Sequence, residues 1–256
     1  MQSMLYSQVT GGEMKADLDD SERLHALKDE LEGKDVLLVL DDTWSTEDME
    51  FCNLLDPNTE SKALVSTRVR EHITEGTLIN LELPDPNDSV KILLAAAGRI
   101  DENDTTVSNA DLKRLAPTEA YDIVKFCKSL PLALGIAGRL LKSRSVGNDW
   151  SGVTAMLREE FEESGQTRAM ENSVIRTSLR SISGSSKDEI INLFLIFAMV
   201  PEDTQVPLEI LEMMLDASGF YKGSDVKLPS RIQIRRWVKA LINRSLILGT
   251  VDRPQL

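Results

Sequence analysis

The sequence contains very little cysteine and histidine. Among its 256 residues there are two cysteines, Cys52 and Cys127, and two histidines, His25 and His72. These four residues do not have the spacing of a metal site, and both cysteines lie in apolar, helix-like surroundings. We therefore expect two free thiols, no metal held by cysteine or histidine, and a reducing, cytoplasmic compartment.

Long apolar runs and a secretory signal are also lacking. The longest apolar stretch, residues 190–200, is shorter than the about 20 residues that a helix needs to cross a bilayer. The first residues have no basic patch followed by an apolar core. We expect no membrane-spanning segment.

Basic charge is scarce and unevenly placed. The net charge of −13 argues against a general nucleic-acid binder, because phosphate attraction needs a basic face. Residues 1–60 carry four Lys or Arg against sixteen Asp or Glu, whereas residues 229–256 carry six against one. The basic end leaves a winged-helix DNA-binding regulator open as an alternative, although a solvated helix face explains these cations more simply.

The sequence does contain an apolar segment that ends in two carboxylates. Residues 36–40 read Val-Leu-Leu-Val-Leu and precede Asp41 and Asp42. Such a run suits a strand that is buried on both faces of a parallel sheet, and these sheets bind ligands at the carboxyl ends of their strands. Paired acids there suit bound magnesium and phosphate. The alternative is a strand followed by an acidic turn.

The pattern of strands and helices divides the chain into an α/β part and a helical part. Residues 1–20 show no apolar period and are predicted to be a frayed lead-in without regular structure. A helix with Leu24, Leu27 and Leu31 on one face ends near Gly33. A helix at about 46–55 separates the acidic strand from a second strand at 63–68. In residues 78–83 apolar and polar side chains alternate as in a strand, which gives the strand–helix–strand–strand order of an α/β sheet.

From Pro84 onward the apolar residues recur at the spacing of one face of a helix. The predicted helices cover 89–98, 118–128, 131–142, 149–162, 172–182, 186–199, 207–215 and 230–243. A short strand is predicted at 245–251. Trp44, Trp150 and Trp237 are far apart in sequence and are interpreted as core or interface packing.

Five segments stand in an order that resembles the NB-ARC family, over roughly residues 20 to 250. This family comprises the nucleotide-binding switches of plant disease-resistance proteins and apoptotic protease-activating factors, which are STAND-class P-loop NTPases. The segments are VLLVLDDTW at 36–44, ALVSTRVR at 63–70, LPDPNDSVKILLAAAG at 83–98, CKSLPLAL at 127–134 and LFLIFAMVPED at 193–203.

The resemblance implies roles for three charged residues. Asp41 and Asp42 resemble the Walker B pair, with Asp41 as the Mg²⁺ partner and Asp42 as the catalytic residue that activates water. Arg68 resembles the sensor arginine that reaches the terminal phosphate; a guanidinium can bind phosphate oxygens with two donors and so distinguish ATP from ADP. The alternative for Arg68 is a solvated strand-end arginine that pairs with Glu71.

The resemblance also implies an adenine contact in the helical part. Leu130 and Pro131 resemble the Leu-Pro of the family's GLPLA motif, which packs against adenine. Pro131 alone indicates only the start of a helix. Ser129 replaces the glycine of the motif, which bears on how closely the backbone can approach a ligand at this point.

The resemblance implies three domains and a nucleotide-dependent function. Residues 1–83 would be the C-terminal part of a P-loop nucleotide-binding domain, 84–170 a helical domain and 171–256 a winged-helix domain. The sequence has no G-x-x-x-x-G-K-[ST] phosphate loop, so we expect a fragment that starts inside the nucleotide-binding domain and binds ADP or ATP with Mg²⁺ only weakly.

The predicted function is the ADP/ATP-binding module of a signalling switch of the immune or cell-death type. Its expected partners are the nucleotide and, in a full-length protein, other protein domains or further copies in a homo-oligomer; nucleic acid and membrane are not expected. An ATP hydrolase is the remaining alternative. We expect at most slow turnover in a full-length protein and background activity here, because no visible group holds the β and γ phosphates.

Overall fold

The computed structural model describes residues 2–45, 47–72, 76–101, 106–143, 149–163, 170–201, 204–218 and 228–249. The chain divides into two compact units, Met1–Leu81 and Glu82–Leu256. Within the described residues the first unit combines helices with a small parallel sheet, and the second is helical. An α/β part followed by a helical part is the order that the sequence predicts.

In its described residues the first unit contains two α-helices and two strands, with a 3-10 helix between the strands and a 3-10 turn after the second strand. Helix α2 (Asp20–Leu31) begins where Asp19 accepts a hydrogen bond from the backbone N–H of Glu22, whose carboxylate accepts one from the N–H of Asp19. This reciprocal cap satisfies two amides that have no partner within the helix. The elements are α1 (Gln2–Thr10), α2 (Asp20–Leu31), β1 (Leu37–Thr43), a 3-10 helix (Asp48–Leu54), β2 (Lys62–Thr67) and a 3-10 turn (Arg70–His72).

The core of this unit gathers around α2. Leu27 and Leu31 are buried together with Leu54 of the 3-10 helix, and Leu5 and Val9 of α1 pack against them. The prediction that residues 1–20 lack structure was therefore wrong for α1. Leu5 and Val9 are four residues apart, so they share the helix face that packs on α2.

The sheet joins β1 and β2 in parallel, with Leu37 opposite Lys62. Leu38 and Leu40 are buried, whereas Leu37, Val39 and Leu64 are 66%, 55% and 57% exposed. The prediction that the first strand is buried on both faces was wrong. Since the described residues place nothing over the outer face, β1 alternates between buried and exposed side chains.

The predicted third strand at 78–83 does not form. Residues 77–85 have no regular secondary structure, and Ile79 and Leu81 are 75% and 96% exposed. A strand is held by a ladder of hydrogen bonds to a neighbour, and the described part of the sheet consists of β1 and β2. Alternating apolar residues alone do not form a strand here because they lack a partner.

The second unit is a series of helices. The predicted helices are confirmed to within about three residues, and α4 is an additional helix that starts at a Ser108–Asp111 cap. In chain order they are α3 (Pro86–Ala96), α4 (Asn109–Leu115), α5 (Thr118–Phe126), α6 (Pro131–Lys142), α7 (Trp150–Glu163), α8 (Met170–Arg180), α9 (Lys187–Phe197), α10 (Leu208–Ala217) and α11 (Arg231–Ile242).

Two hydrophobic cores organise these helices. One is built mainly from α3 to α8, and the other from α9, α10 and α11 with Ile182.

The predicted strand at 245–251 is absent over 245–249, where the chain turns, and its last two residues lie outside the described part. Of the Pro201-Glu202-Asp203 turn, Glu202 and Asp203 also lie outside it. The predicted domain boundary at residue 170 and the predicted winged-helix domain at 171–256 stay predictions.

Two further expectations concern thiols and membranes. Cys52 and Cys127 are both free, as predicted, and Cys127 is buried at the end of α5. Within the described ranges no helix is both long and apolar enough to cross a membrane.

Candidate functional site

The carboxyl end of β1 contains a bulge that separates the two predicted carboxylates. Asp41 and Asp42 together stand opposite the single residue Ser66 of β2, so the register of the ladder shifts at this point. Asp42 has a φ of 52°, a left-handed conformation that Asp adopts more readily than most residues. A bulge with an extra residue re-aims the side chains of its strand, and here the two carboxylates have different partners.

Asp41 is held by the neighbouring strand. The hydroxyl of Ser66 donates a hydrogen bond to Oδ1 of Asp41 and accepts one from the backbone N–H of Asp42 at 2.8 Å. Ser66 therefore satisfies the amide that the bulge removes from the ladder. The side chain of Asp41 is exposed, which leaves its second oxygen accessible to a ligand.

Asp42 pairs with Arg68, which follows β2 directly. Nε of Arg68 lies 3.3 Å from Oδ1 of Asp42, and Nη2 donates to Oδ2 at 3.4 Å. The ion pair is partly solvated, since the side chain of Asp42 is 35% exposed and that of Arg68 is 65% exposed. The observed partner of Arg68 is Asp42, on the adjacent parallel strand. The alternative partner, Glu71, is therefore not needed to explain the ion pair of Arg68.

Trp44 contacts both members of this pair. Its indole N–H donates to Oδ2 of Asp42 at 3.1 Å, and the guanidinium carbon of Arg68 lies 4.7 Å from the centre of its ring. Trp44 is 55% exposed, so of the two predicted roles, core packing was wrong and interface packing stays a prediction. The available signal was its position two residues after Asp42, beside a cation that follows the neighbouring strand.

The backbone that carries Trp44 is fixed from both sides. Thr43 is buried, and its carbonyl accepts a hydrogen bond from the Thr67 hydroxyl at 2.8 Å. Asp48 accepts hydrogen bonds from the backbone amides of Trp44 and Ser45, both at 3.2 Å. The segment after β1 is thus attached to β2 and to the start of the 3-10 helix.

The acidic pair could hold Mg²⁺ only together with a phosphate. Among the described residues there is no group of three or more His, Cys, Asp and Glu side chains that could hold a metal ion. Mg²⁺ is commonly bound by one or two carboxylates plus phosphate oxygens and water. The exposed Asp41 carboxylate fits such a partial set.

The other predicted site residues lie in the second unit. Leu130 packs against the core of α3 to α8, and Pro131 is the exposed first residue of α6. Residues 128 and 129 close α5: the N–H of Ser129 bonds to the carbonyl of Val124, and that of Lys128 to the carbonyl of Lys125. This is a Schellman motif, which ends α5 and leads directly into α6.

Lys128 and Ser129 both adopt left-handed backbone conformations, with φ of 49° and 58°. Side chains with a Cβ are unfavourable in this region by about 1–2 kcal/mol per residue. Ser129 thus occupies a conformation that the motif's glycine would adopt without strain.

The chain is similar to plant disease resistance proteins over most of its length. It is 29% identical over 225 residues to putative disease resistance RPP13-like protein 3 of Arabidopsis thaliana, which covers 85% of the chain. A probable disease resistance protein of the same plant is 26% identical over 233 residues, or 88% of the chain. Disease resistance protein UNI, also of Arabidopsis thaliana, is 23% identical over 232 residues. No family model matches the chain.

The similarity covers a limited part of these relatives. The chain aligns with 24% of the RPP13-like protein, 23% of the probable resistance protein and 24% of UNI. It therefore spans about a quarter of the length of each. The relatives of this chain are plant disease resistance proteins.

Proposed function

We propose that this chain is an ADP/ATP-binding module of an NB-ARC-type signalling switch in plant immunity. One observation carries the proposal: Asp42 pairs with Arg68, and Asp41 lies beside Asp42, at the ends of two adjacent parallel strands, where such sheets bind ligands. The similarity to plant disease resistance proteins supports the immune role.

Each of these residues has a chemical task in the proposed switch. The exposed carboxylate of Asp41 would hold Mg²⁺ in company with phosphate oxygens. Arg68 would bind the terminal phosphate and so distinguish ATP from ADP. Asp42 would orient or deprotonate water, and turnover is at most slow, because catalysis of phosphoryl transfer depends on groups that position the β and γ phosphates.

The helical unit would supply the remaining parts. Leu130 and Pro131 would contact adenine, and residues 171–256 would form the winged-helix domain whose closure depends on the bound nucleotide. The partners would be other protein domains or further copies in a homo-oligomer, and the location would be cytoplasmic. Residues 1–256 would bind nucleotide weakly, since the sequence has no glycine-rich phosphate loop.

The proposal is tested by nuclear magnetic resonance titration of isotope-labelled protein with Mg-ATP and Mg-ADP. We expect weak, saturable shifts at Asp41, Asp42 and Arg68, with Arg68→Gln weakening ATP binding more than ADP binding. Arg114→Gln is the matched control, because Arg114 is also an exposed arginine paired with an aspartate, Asp111 of α4.

Either of two results would contradict the proposal. One is the absence of shifts at these residues at millimolar nucleotide. The other is equal weakening of ATP binding by Arg68→Gln and Arg114→Gln, which would show that general charge, and not the position of Arg68, governs binding.

A further inference from the structure

The proposed phosphate-binding edge of Arg68 is already occupied in this structure. The guanidinium turns its Nε–Nη2 edge to Asp42: Nη2 donates a hydrogen bond to Oδ2 at 3.4 Å, and Nε lies 3.3 Å from Oδ1 as an ion-pair contact. The same edge of a guanidinium can bind two oxygens of a phosphate. The same edge cannot bind Asp42 and a phosphate at once.

Trp44 holds both members of the pair in this arrangement. Its ring lies against the guanidinium, and its indole N–H holds Oδ2 of Asp42. These contacts use different parts of one side chain: the π face attracts the cation, and the N–H attracts the carboxylate. Removing Trp44 would therefore loosen Arg68 and Asp42 together.

We propose that Trp44 is a positioning residue that keeps Arg68 and Asp42 in a closed pair, and that a phosphate group binds by replacing the Asp42 carboxylate on Arg68. The inference rests on the proposed function, in which Arg68 binds a terminal phosphate. It adds a residue, Trp44, and a competitor, Asp42, that control when Arg68 is available.

The exchange has a consequence for Asp42. When Arg68 turns its Nε–Nη2 edge to a phosphate, the Asp42 carboxylate loses a cation but keeps the hydrogen bond from the Trp44 indole. The exchange therefore leaves the Asp42 carboxylate beside the bound phosphate, held by Trp44 and no longer by Arg68.

The competition is moderate in size because the site is partly solvated. Pairs this exposed contribute less than about 1 kcal/mol, so removing the Asp42 charge should tighten phosphate binding by about threefold. The exchange replaces one negative partner of Arg68 by another. A highly charged anion would therefore displace Asp42 more readily than a singly charged one, because the guanidinium attracts it more strongly.

The closed pair is tested first without ligand, by the indole N–H resonance of Trp44. Trp44→Phe assigns this resonance among the three tryptophans of the chain. We expect Asp42→Asn and Arg68→Gln each to shift it, whereas Arg114→Gln leaves it unchanged. Trp44→Phe, which keeps an aromatic face, should preserve the Arg68 Nε–H resonance better than Trp44→Leu. An unchanged indole resonance in both Asp42→Asn and Arg68→Gln would overturn the proposal.

The exchange is tested next by titration with tripolyphosphate. We expect Asp42→Asn to lower the dissociation constant by about threefold, and Arg68→Gln to remove this gain when the two substitutions are combined. Equal affinity of wild-type protein and Asp42→Asn would overturn the exchange.

The two proposals can fail separately. If nucleotides bind at Asp41 and Arg68 but Asp42→Asn neither shifts the indole resonance nor tightens binding, only the closed pair is wrong. If tripolyphosphate binds through Arg68 with the expected gain but Mg-ADP and Mg-ATP cause no shifts at Asp41, Asp42 and Arg68 at millimolar concentration, the closed pair is supported and the nucleotide-binding proposal is wrong.

Discussion

At the scale of single residues, Gly138 sets how closely α3 and α6 can approach. A Cβ at this position would lie 2.5 Å from the Cβ of Ala96 and 2.7 Å from the carbonyl oxygen of Leu93. Neither atom belongs to a flexible side chain, so the helices would have to move apart. The residue is small because the backbone of α3 occupies the space.

Gly138→Ala should therefore destabilise the helical unit, by about 1–3 kcal/mol from overpacking. The matched control is Gly135→Ala on the same helix, where the added Cβ meets nothing within 4 Å. That substitution should raise stability by up to about 1 kcal/mol, because alanine has the higher helix propensity. Urea unfolding measures both, and the prediction fails if the two changes have the same sign.

Cys127 gives a pH-dependent prediction. Burial raises the pKa of its thiol from 9.0 to about 12, so the native protein keeps this proton at a pH where the unfolded chain loses it. The free energy of unfolding should fall as the pH rises from about 9 toward about 12, by at most about 1.4 kcal/mol per pH unit from this group.

The measurement compares wild-type protein with Cys127→Ala by denaturant unfolding at several alkaline pH values. The variant should start less stable, because it loses buried volume, but its stability should fall less steeply with pH. Parallel curves for the two proteins would show that the Cys127 thiol does not contribute. In native protein the thiol should also resist alkylation, since the thiolate is the reactive form.

At the scale of secondary-structure elements, α7 and α8 are joined through a buried carboxylate. Glu160 of α7 is 3% exposed, and its two oxygens lie 2.6 Å from Arg180 and 3.9 Å from Arg176, both on α8. The arginines are about half exposed, so water screens part of the attraction. The carboxylate itself depends on them, because it has little access to solvent.

Glu160→Gln should destabilise the helical unit by about 1–3 kcal/mol, since it removes the attraction between the buried carboxylate and the two arginines. Glu159→Gln, one residue earlier and exposed, is the control and should change stability by less than about 0.5 kcal/mol. Thermal unfolding of both variants measures the difference. Similar melting temperatures for the two variants would contradict the role of Glu160.

The sequence predicts helices better than strands in this chain. Helix α6 follows from Pro131 at its first position and a continuous apolar face, both local features. Residues 78–83 have the alternation of a strand but no partner, and a partner is not a property of the segment itself. Helix α4 escaped prediction although Ser108 and Asp111 form a capping box, because seven residues are too few to show a period.

The site was predictable to a similar degree. The proximity of Asp42 and Arg68 follows from the sequence, because the carboxyl ends of parallel strands lie at one edge. The contacts of Ser66 and Trp44 do not, since they depend on a bulge that shifts the register by one residue. That shift is set by the pairing of two strands and is not visible in either strand alone.

At the scale of the whole molecule, charge limits the choice of partners. The chain carries −13 overall, and its one strongly basic segment includes α11. Part of that basic charge is already used: Arg231 lies 2.7 Å from Glu212 and 3.5 Å from Glu209, both on α10. Arg244 is partly buried, which lowers the pKa of its guanidinium. Arg236 and Lys239 are the exposed remainder among the described residues of α11.

Two exposed cations on an acidic protein are too few for stable binding to duplex DNA. Each phosphate contact made by a cation adds affinity through counterion release, and long-range repulsion from thirteen net negative charges opposes the approach. We therefore expect no change in the fluorescence anisotropy of labelled duplex DNA at low salt, up to high micromolar protein. The double variant Arg236→Glu, Lys239→Glu should behave identically. Binding that weakens steeply with salt and disappears in the double variant would instead establish α11 as a recognition helix, and the nucleotide-switch proposal would then have to account for a DNA partner as well.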